Sequence, residues 1–479
     1  MLVATGVLAL GTAGVYTYAS ARTLAWRYLF PGVAGMLVFV AFPLLYTMQI
    51  GFTNYSSNNL LAYERSRAYL LDQTTVDEAR ALASALVRNA QGEVRLLLSP
   101  PEGAEGPRFV SPPLKLDAAP AAPLVMTPLD AAAPSPGTPL TLRETLAARA
   151  ALLPMKAALP DGRVLSYAGV REFGVIEPLW AENPDGSLVQ KSSGTVYKSN
   201  FETGFFENAQ GERMTPGFKV GIGFANYARM VFDPDFRGPF LAIFVWTVVF
   251  AALTVVFSTA IGMTLAVVLN WEALKYRTLY RTLLFLPYAV PGFISILVFK
   301  GLFNQNFGEI NAILNAVFGV KPAWFADPTL AKAMILIVNT WLGFPYMMVV
   351  CMGLIKSIPS DLYEASAVAG AGPITNFVNI TAPLIIKPLT PLLISSFAFN
   401  FNNFVLISLL TGGRPDFLDI SVPAGTTDIL VSYTMRMAFQ DSGQQFGLAS
   451  AISTVIFFIV AGITLLQMRF TRLAESDKR

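Results

Sequence analysis

Seven stretches of this chain are apolar over enough residues to cross a lipid bilayer, which takes about 20 residues of helix. A polar insert, about residues 52–238, separates the second stretch from the third. Of the 479 residues, 54% are hydrophobic and 14% are charged, whereas soluble domains carry about a quarter charged residues. The sequence therefore predicts an all-α polytopic membrane protein with one inserted domain. The apolar stretches are approximately 1–20, 28–50, 240–269, 282–302, 331–355, 388–410 and 446–468.

The sixth stretch contains three asparagines, Asn400, Asn402 and Asn403, within "SSFAFNFNNFVLISLL" (395–410). An amide without a hydrogen-bond partner is costly in hydrocarbon, so each of these side chains needs one. Amides inside a membrane serve either as links between helices or as ligands for a polar substrate. The residues alone leave both roles open.

The composition excludes several classes of chemistry. Histidine, the commonest general base and metal ligand, is absent, and Cys351 is the one cysteine. The sequence has no G-x-x-x-x-G-K-[ST] motif, so it has no phosphate-binding P-loop of its own. A net charge of +3 without a basic run does not indicate nucleic-acid binding. We therefore expect no catalytic residue and no metal site on this chain.

Positive charges in the short connections predict the orientation in the membrane. Alternation of the spans places three basic groups on one side, which the positive-inside rule makes cytoplasmic. The insert is then predicted to lie outside. A cleaved signal peptide is the alternative for the first stretch, although its arginines follow the apolar core instead of preceding it. The basic groups are Arg22 and Arg27; Lys275, Arg277 and Arg281; and Arg469, Arg472, Lys478 and Arg479.

The insert is predicted to be a β-rich domain. Residues 100–140 are rich in proline and alanine and favour a loop or linker. Farther along, "GRVLSYAGV", "GSLVQKSSGTVYKSN" and "GFKVGIGFANY" combine β-branched and aromatic runs with turn residues, which is typical of strands. A solvated loop without a partner is the alternative, but loops of this length usually bind something. The predicted domains are 1–51, 52–238 and 239–479.

Residues 359–383 predict a helical hairpin too polar to span the membrane. Asp361 is predicted to cap a first helix, with Glu364 at the third position after it. Gly370 and Gly372 allow that helix to end, and Pro373 can begin a second short helix. An ordinary connection between two spans can have the same features.

This hairpin resembles the EAA loop of ABC-importer permeases. The family pattern runs E-A-A, three residues, G, nine residues, I-x-L-P. It is met here by Glu364, Ala365, Gly370, Ile380 and Pro383. Ser366 replaces the third motif residue and Ala382 replaces the usual leucine.

Longer runs resemble the large permease subunit of the maltose/maltodextrin ABC transporters (the MalF family). The resemblance covers nearly the whole chain and is weakest in residues 70–215. The family usually has eight spans and a cytoplasmic N-terminus, whereas seven are counted here. The missing span would precede residue 1, so either this protein has lost it or the start codon is assigned too late. The matching runs include "LAIFVWTVVF", "LPYAVPGFISILVFKGLFNQNFGEIN", "GVKPAWFADP", "VNTWLGFPYMM", "SSFAFNFNNFVLI" and "RYLFPGVAGMLVFVAFPLLYTMQIGFTNYSS".

The resemblance implies a set of partners and a location. They are a second permease subunit, two ATPase subunits that bind the ATP and Mg²⁺, and a periplasmic maltose-binding protein that engages the insert. This chain would then need no cofactor and would lie in the bacterial inner membrane. Glu364, Ala365 and Gly370 would belong to the contact with the ATPase, Glu364 meeting a basic group there.

The resemblance also implies a sugar site on two helical faces. Each face has the spacing i, i+3, i+4, i+7, and neither carries a charge. Amides and hydroxyls suit sugar hydroxyls, and Tyr346 and Phe399 can stack on a sugar ring. Asn402 lies off its face and is expected to link helices. The implied sugar-binding residues are Asn339, Leu342, Gly343 and Tyr346 in the fifth stretch, and Ser396, Phe399, Asn400 and Asn403 in the sixth.

Three other functions compete with maltose or maltodextrin import. The same machine could carry another sugar such as trehalose, because sugars differ in few contacts. An ion-coupled secondary carrier would be expected to place an acidic residue or histidine in mid-span, and the spans contain none. A sensor or assembly protein would explain the insert but not the EAA loop.

Overall fold

The computed structural model describes residues 2–77, 80–101, 104, 106–114, 122–130, 136–418, 420, 422–440 and 443–476. Lys478 and Arg479 of the predicted basic tail lie outside the described residues. The chain forms two compact units, which are described separately. One comprises residues 1–59 and 219–479, and the other comprises residues 60–218.

The first unit begins with three apolar helices. Pro31 lies inside the second of them, and a π-helical turn at Leu37–Ala41 joins the second to the third, so residues 26–51 form one continuous apolar element. Helices are present over both predicted stretches, 1–20 and 28–50, but the first of them is not among the candidate membrane spans of the described residues. The helices are α1 (Leu2–Ala19), α2 (Trp26–Met36) and α3 (Phe42–Gly51).

The unit of residues 60–218 is a β-rich domain with its own core. Its main sheet has nine strands in the order β5-β8-β9-β10-β2-β3-β4-β6, with β7 beside β2, and only the β5–β8 pairing is parallel. The elements are α4 (Tyr63–Leu71), β1 (Thr74–Val76), β2 (Leu82–Arg88), β3 (Val94–Ser99), β4 (Arg108–Val110), β5 (Leu124–Val125), β6 (Thr127–Leu129), β7 (Thr138–Pro139), α5 (Leu142–Ala147), α6 (Arg149–Leu152), β8 (Lys156–Ala158), β9 (Val164–Gly169), β10 (Glu172–Gly174), β11 (Ile176–Pro178), β12 (Trp180–Glu182), β13 (Leu188–Gln190), β14 (Val196–Asn200) and β15 (Phe205–Glu207).

Two of the predictions for the insert need correction. Residues 100–140 are not only a linker, because β4, β5, β6 and β7 lie there and their short runs pair with neighbouring strands. The run at 217–227 is not a strand. Phe218 and Gly221 each make an isolated bridge, and a helix begins at Ala225. The two other strand predictions are confirmed by β9 and by the β13–β14 pair.

The rest of the first unit is helical. Five helical elements of the described residues are long and apolar enough to cross a membrane: 26–51, 234–270, 328–355, 373–401 and 446–466. A sixth arises if α9 and α10, which meet at 91°, form one span. The helices are α7 (Ala225–Phe232), α8 (Pro234–Asn270), α9 (Arg277–Ala289), α10 (Gly292–Leu302), α11 (Glu309–Phe318), α12 (Pro328–Ile355), α13 (Ser360–Val368), α14 (Pro373–Asn376), α15 (Ala382–Phe401), α16 (Phe404–Leu410), α17 (Leu430–Phe439) and α18 (Phe446–Ser476).

The sixth predicted span, 388–410, is displaced. The helix begins at Pro373, passes through a π-helical turn at Phe377–Thr381 and ends at Phe401. It ends there because the side chain of Asn403 accepts a hydrogen bond from the backbone N–H of Leu406 and caps a separate helix, α16. Hydropathy alone does not show this break, because apolar residues continue on both sides of it.

The predicted hairpin is present, with a different start. Helix α13 begins at Ser360 after Pro359, so Asp361 lies in its first turn and is not the cap. Proline fixes the backbone just before Ser360, and the helix therefore starts earlier than the capping pattern suggested. Gly370 has φ of +74°, and Pro373 occupies the first turn of α14, as predicted.

Arg436 precedes the last apolar stretch, on the side that the positive-inside rule makes external, and the structure shows it in a buried ion pair. Its Nη1 lies 2.8 Å from Asp428 Oδ2, and its Nη2 lies 2.6 Å from Asp416 Oδ1. Asp428 also accepts hydrogen bonds from the backbone of Gly425 and from Ser432. Because its charge is neutralised within the fold, Arg436 does not count as a topological signal.

Candidate functional site

Helices α12 and α15 bring the predicted amides together. Asn339 lies inside α12 and Asn400 lies in the last turn of α15, and both side chains are buried. Asn403, between α15 and α16, is half-buried. No ionisable side chain takes part in the hydrogen bonds between these three amides. These three amides therefore form a polar, uncharged cluster.

The three amides form a chain of hydrogen bonds that crosses between the helices. Asn403 Nδ2 donates to Asn339 Oδ1 at 3.3 Å. Asn339 Nδ2 donates to Asn400 Oδ1 at 2.7 Å, and Asn400 Nδ2 donates to the carbonyl of Ser396 at 2.8 Å. Each buried amide thereby has partners in the membrane-spanning part of the molecule.

The direction of this chain is fixed at both ends by backbone groups. The N–H of Leu406 can only donate, so it requires the oxygen of Asn403 to face it. The carbonyl of Ser396 can only accept, so it requires the nitrogen of Asn400 to face it. The Asn339 amide, which lies between them, is oriented by these two requirements.

Two asparagines differ from the prediction. Asn403 lies beyond the end of α15, so it does not share a helical face with Ser396, Phe399 and Asn400. It reaches the site from the N-cap of the next helix instead. Asn402, expected to link helices, donates to the carbonyl of Ala398 in its own helix at 3.2 Å and is exposed.

The remaining residues of the predicted α12 face have separate surroundings. Leu342 packs against the apolar core formed by α8, α10, α12 and α16. At Gly343 an added Cβ would lie 2.8 Å from the hydroxyl oxygen of Ser258, so a side chain there would collide with α8. Leu342 and Gly343 therefore contribute to the packing of α12 against neighbouring helices.

Two aromatic rings of the predicted site are accessible. Phe399 is 71% exposed and Tyr346 is 39% exposed. The ring of Tyr288 in α9 stacks on that of Tyr346, with centroids 6.4 Å apart and planes 17° apart. Exposed aromatic rings are able to stack on the apolar faces of a sugar.

Sequence reasoning missed the contribution of α8. Thr254 Oγ1 accepts a hydrogen bond from Asn339 Nδ2 at 3.1 Å, and its side chain is buried. Thr254, Ser258 and Gly262 follow one another at intervals of four, a pattern of small residues typical of close helix contacts in membranes. That spacing was the available signal.

The predicted coupling residues lie in α13 and in the turn that follows it. Glu364, Ala365 and Gly370 are exposed. Tyr363 and Thr381 share a hydrogen bond of 2.9 Å between their hydroxyl oxygens, and the Ser366 hydroxyl donates to Asn376 Oδ1. Four residues join α13 to α12, and four join it to α14. Helix α13 is thereby linked to α12 through a short connection and to the segment before α15 through hydrogen bonds.

Comparison with known families and proteins gives a consistent result. Residues 61–223 match the family described as "Maltose transport system permease protein MalF P2 domain", and residues 258–477 match "Binding-protein-dependent transport system inner membrane component". Among solved structures, a bacterial alginate ABC transporter chain is 22% identical with a TM-score of 0.45, covering 53% of this chain and 84% of that one.

Curated relatives are similar over nearly the full length. The maltose/maltodextrin transport system permease protein MalF of Escherichia coli strain K12 is 50% identical, covering 98% of this chain and 92% of that protein. Those of Photorhabdus laumondii and Yersinia pestis are 51% and 49% identical, covering 96% and 97% of this chain and 89% and 88% of the relatives. This chain belongs to the MalF family of integral-membrane permease subunits of binding-protein-dependent ABC importers.

Proposed function

We propose that this chain carries maltose and maltodextrins into the cytoplasm as one subunit of an ABC importer. The observation that carries the proposal is the similarity of about half of all residues to relatives named for this substrate, over almost the whole chain. The uncharged amide cluster with its accessible rings supports a neutral, hydroxyl-rich substrate.

The sugar site of the proposal is the set of residues predicted from sequence. Asn403 is the most accessible of the three amides, and Phe399 and Tyr346 offer ring faces for stacking. Asn400 and Asn403 each use one of two N–H groups in hydrogen bonds to the described residues, which leaves the other as a donor for a sugar hydroxyl. The full set is Asn339, Leu342, Gly343, Tyr346, Ser396, Phe399, Asn400 and Asn403.

The specific partners belong to the same proposal. They are a second permease subunit, two ATPase subunits that bind ATP and Mg²⁺, and a periplasmic maltose-binding protein. Helix α13 enters a cleft of one ATPase, where Glu364 meets a basic group and Ala365 keeps the helix slim. Because α13 adjoins both α12 and α14, closure of the ATPases changes the spacing of the helices that hold the sugar. The chain lies in the inner membrane with the insert in the periplasm.

Transport by the reconstituted complex tests the substrate. Vesicles that contain this chain with its partners are supplied with binding protein, ATP and one labelled sugar at a time: maltose, a maltodextrin series, trehalose or a non-glucosyl sugar. We expect ATP-dependent uptake of maltose and maltodextrins. Uptake of trehalose alone would assign the same machine to another sugar. Uptake driven by an ion gradient without ATP would overturn the proposal.

A further inference from the structure

Helices α8 and α12 meet in a regular register beside the candidate site. Close contacts between the two helices recur at every fourth residue. A Cβ added at Gly343 would lie 2.8 Å from Ser258 Oγ, and a Cβ added at Gly262 would lie 2.8 Å from Met347 Cβ. Such close approach leaves little freedom to slide one helix along the other. The matched positions are Thr254 with Asn339, Ser258 with Gly343, and Gly262 with Met347.

This register presents Thr254 to the amide at the centre of the hydrogen-bond chain. Asn339 Nδ2 has two hydrogens, and its two acceptors are Asn400 Oδ1 and Thr254 Oγ1. The terminal torsion of an asparagine side chain is broad. The bonds of Asn339 to Asn400 and Asn403 both lead to the junction of α15 and α16, whereas its bond to Thr254 leads to α8. Because the two N–H directions of a planar amide are set, this third bond ties the amide plane to a helix that the other two bonds do not reach.

We propose that Thr254 is a positioning residue for sugar recognition. By accepting the second hydrogen of Asn339, it holds the plane of that amide and therefore the direction of Asn339 Oδ1, to which Asn403 donates. The remaining N–H of Asn403 then points in a fixed direction toward the sugar. This inference rests on the proposed function and adds a residue on a third helix to the site.

Fixed donors matter for selectivity. Sugars of one size differ in the orientation of single hydroxyl groups, and a site distinguishes them only if its polar groups cannot turn to follow a misplaced hydroxyl. Without the bond to Thr254, Asn339 is held from the α15–α16 junction alone, so Asn339 and Asn403 can shift together and adapt to the wrong isomer. Loss of the Thr254 acceptor is therefore expected to reduce discrimination more than the rate for the preferred sugar.

Two substitutions separate the hydrogen bond from the packing. Thr254→Val keeps the branched shape without the acceptor, and Thr254→Ser keeps the hydroxyl without the methyl group. The readout is the ratio of uptake rates for a preferred glucosyl sugar and an isomer with one hydroxyl inverted. The reconstituted complex and one binding protein are used throughout, so the selectivity of the binding protein cancels between variants.

We expect Thr254→Val to lower this ratio by about 3- to 15-fold, as for loss of one hydrogen bond inside a membrane protein, and Thr254→Ser to retain it. Ser258→Ala is the matched control one turn away, and it should leave the ratio unchanged. If Thr254→Val fails to assemble, Thr254→Ala provides the same comparison with a smaller side chain.

The outcomes distinguish this inference from the proposed function. An equal decrease for both sugars in Thr254→Val, with an unchanged ratio, would show that the residue only packs and would overturn the inference. A native complex that transports no glucosyl sugar would instead overturn the proposed function. If the native complex and the Thr254→Val complex show the same ratio of uptake rates, the inference is refuted and the proposed function is not affected.

Discussion

At the scale of single residues, Asn339, Asn400 and Asn403 link helices, and the last two each have one N–H group without a partner among the described residues. Asn339 uses both of its N–H groups inside the protein, whereas Asn400 and Asn403 use one each. An amide has two hydrogens and two acceptor positions, so one internal bond does not exhaust it. The two roles that the sequence left open therefore do not exclude one another.

A pair of substitutions tests the exposed end of this chain. Asn403→Ser keeps an oxygen able to cap α16 but removes the amide nitrogen that reaches Asn339. If that nitrogen also serves the sugar, its loss costs about 1–3 kcal/mol of sugar binding, or roughly 5- to 150-fold in occupancy. The measurement is uptake against sugar concentration, normalised to assembled complex in the membrane.

Asn402→Ser is the control for this experiment. Asn402 is exposed, and among the described residues its side chain bonds only a carbonyl of its own helix, so its replacement should leave the sugar dependence native. If only Asn402→Ser changes the sugar dependence, the sugar binds on the helix face that carries Asn402 and not at the cluster of Asn339, Asn400 and Asn403. No change in either variant would show that these amides serve only the helices.

The sequence predicts those parts of the candidate site that lie on one continuous helix, and it does not predict those that depend on contacts between helices. The spacing on α12 was readable because one uninterrupted helix carries Asn339 and Tyr346. The position of Asn403 was not, because a cap that ends one helix and starts another depends on a single side-chain bond. Thr254 was missed because a threonine in an apolar helix shows its partner only when the helices are packed.

At the scale of helices, the contact between α8 and α12 requires glycine. A Cβ at Gly262 would lie 2.7 Å from the backbone nitrogen of Met348, so Gly262→Ala must push the helices apart. Overpacking of this kind costs about 1–3 kcal/mol. We expect a lower unfolding temperature in detergent and slower transport. Gly353→Ala is the control on α12. No atom of the described residues lies within 4 Å of the added Cβ, so this variant should behave as native. Equal behaviour of the two variants would contradict the close contact.

The α13–α14 hairpin provides a test of coupling. Glu364→Lys reverses an exposed charge that is proposed to face a basic cleft, where charge complementarity selects the partner. The variant should insert normally but bind the ATPase weakly and transport little. The check is co-purification of the ATPase together with sugar-stimulated ATP hydrolysis. Normal stimulation would argue against the docking role.

The turn of the hairpin can be tested separately from its charge. Gly370 has φ of +74° with open space around it, so Gly370→Val strains only the backbone, by about 1–2 kcal/mol. Gly372 also has open space but φ of −82°, which valine adopts readily. Gly370→Val should therefore impair ATPase-dependent transport, and Gly372→Val should not. Equal effects would show that side-chain bulk, and not the left-handed turn, disturbs this region.

The existence of most helices followed from hydropathy, whereas their ends did not. The long apolar stretches at 234–270 and 328–355 contain the predicted spans and extend beyond them. The end at Phe401, the π-helical turn at Phe377–Thr381 and the early start of α13 depend on capping and proline geometry. Hydropathy averages over about 19 residues, so single-residue boundaries are lost.

At the scale of the whole molecule, the chain divides as an apolar helical unit interrupted by a β-rich unit. An isolated bridge pairs Leu61 with Phe218, so the two ends of the β-rich unit lie side by side. An insertion with adjacent ends can be accommodated between two helices without separating them. Sequence composition predicted this division, although not the nine-stranded sheet, whose order depends on pairings between distant segments.

The orientation of the two units across the membrane is the final prediction. The basic connections at 21–27 and 275–281 and the C-terminal tail are expected inside, and residues 52–238 are expected outside. Arg436 does not oppose this assignment, because it is paired with Asp428 and Asp416 within the fold.

A reporter active only in the periplasm is fused at residue 150 and, separately, at the C-terminus. A second reporter, active only in the cytoplasm, is fused at the same sites. We expect opposite signals at the two sites and a reversal between the two reporters. The same signal at both sites would require an even number of crossings after the insert, and the assignment of five spans between residue 239 and the C-terminus would then be wrong.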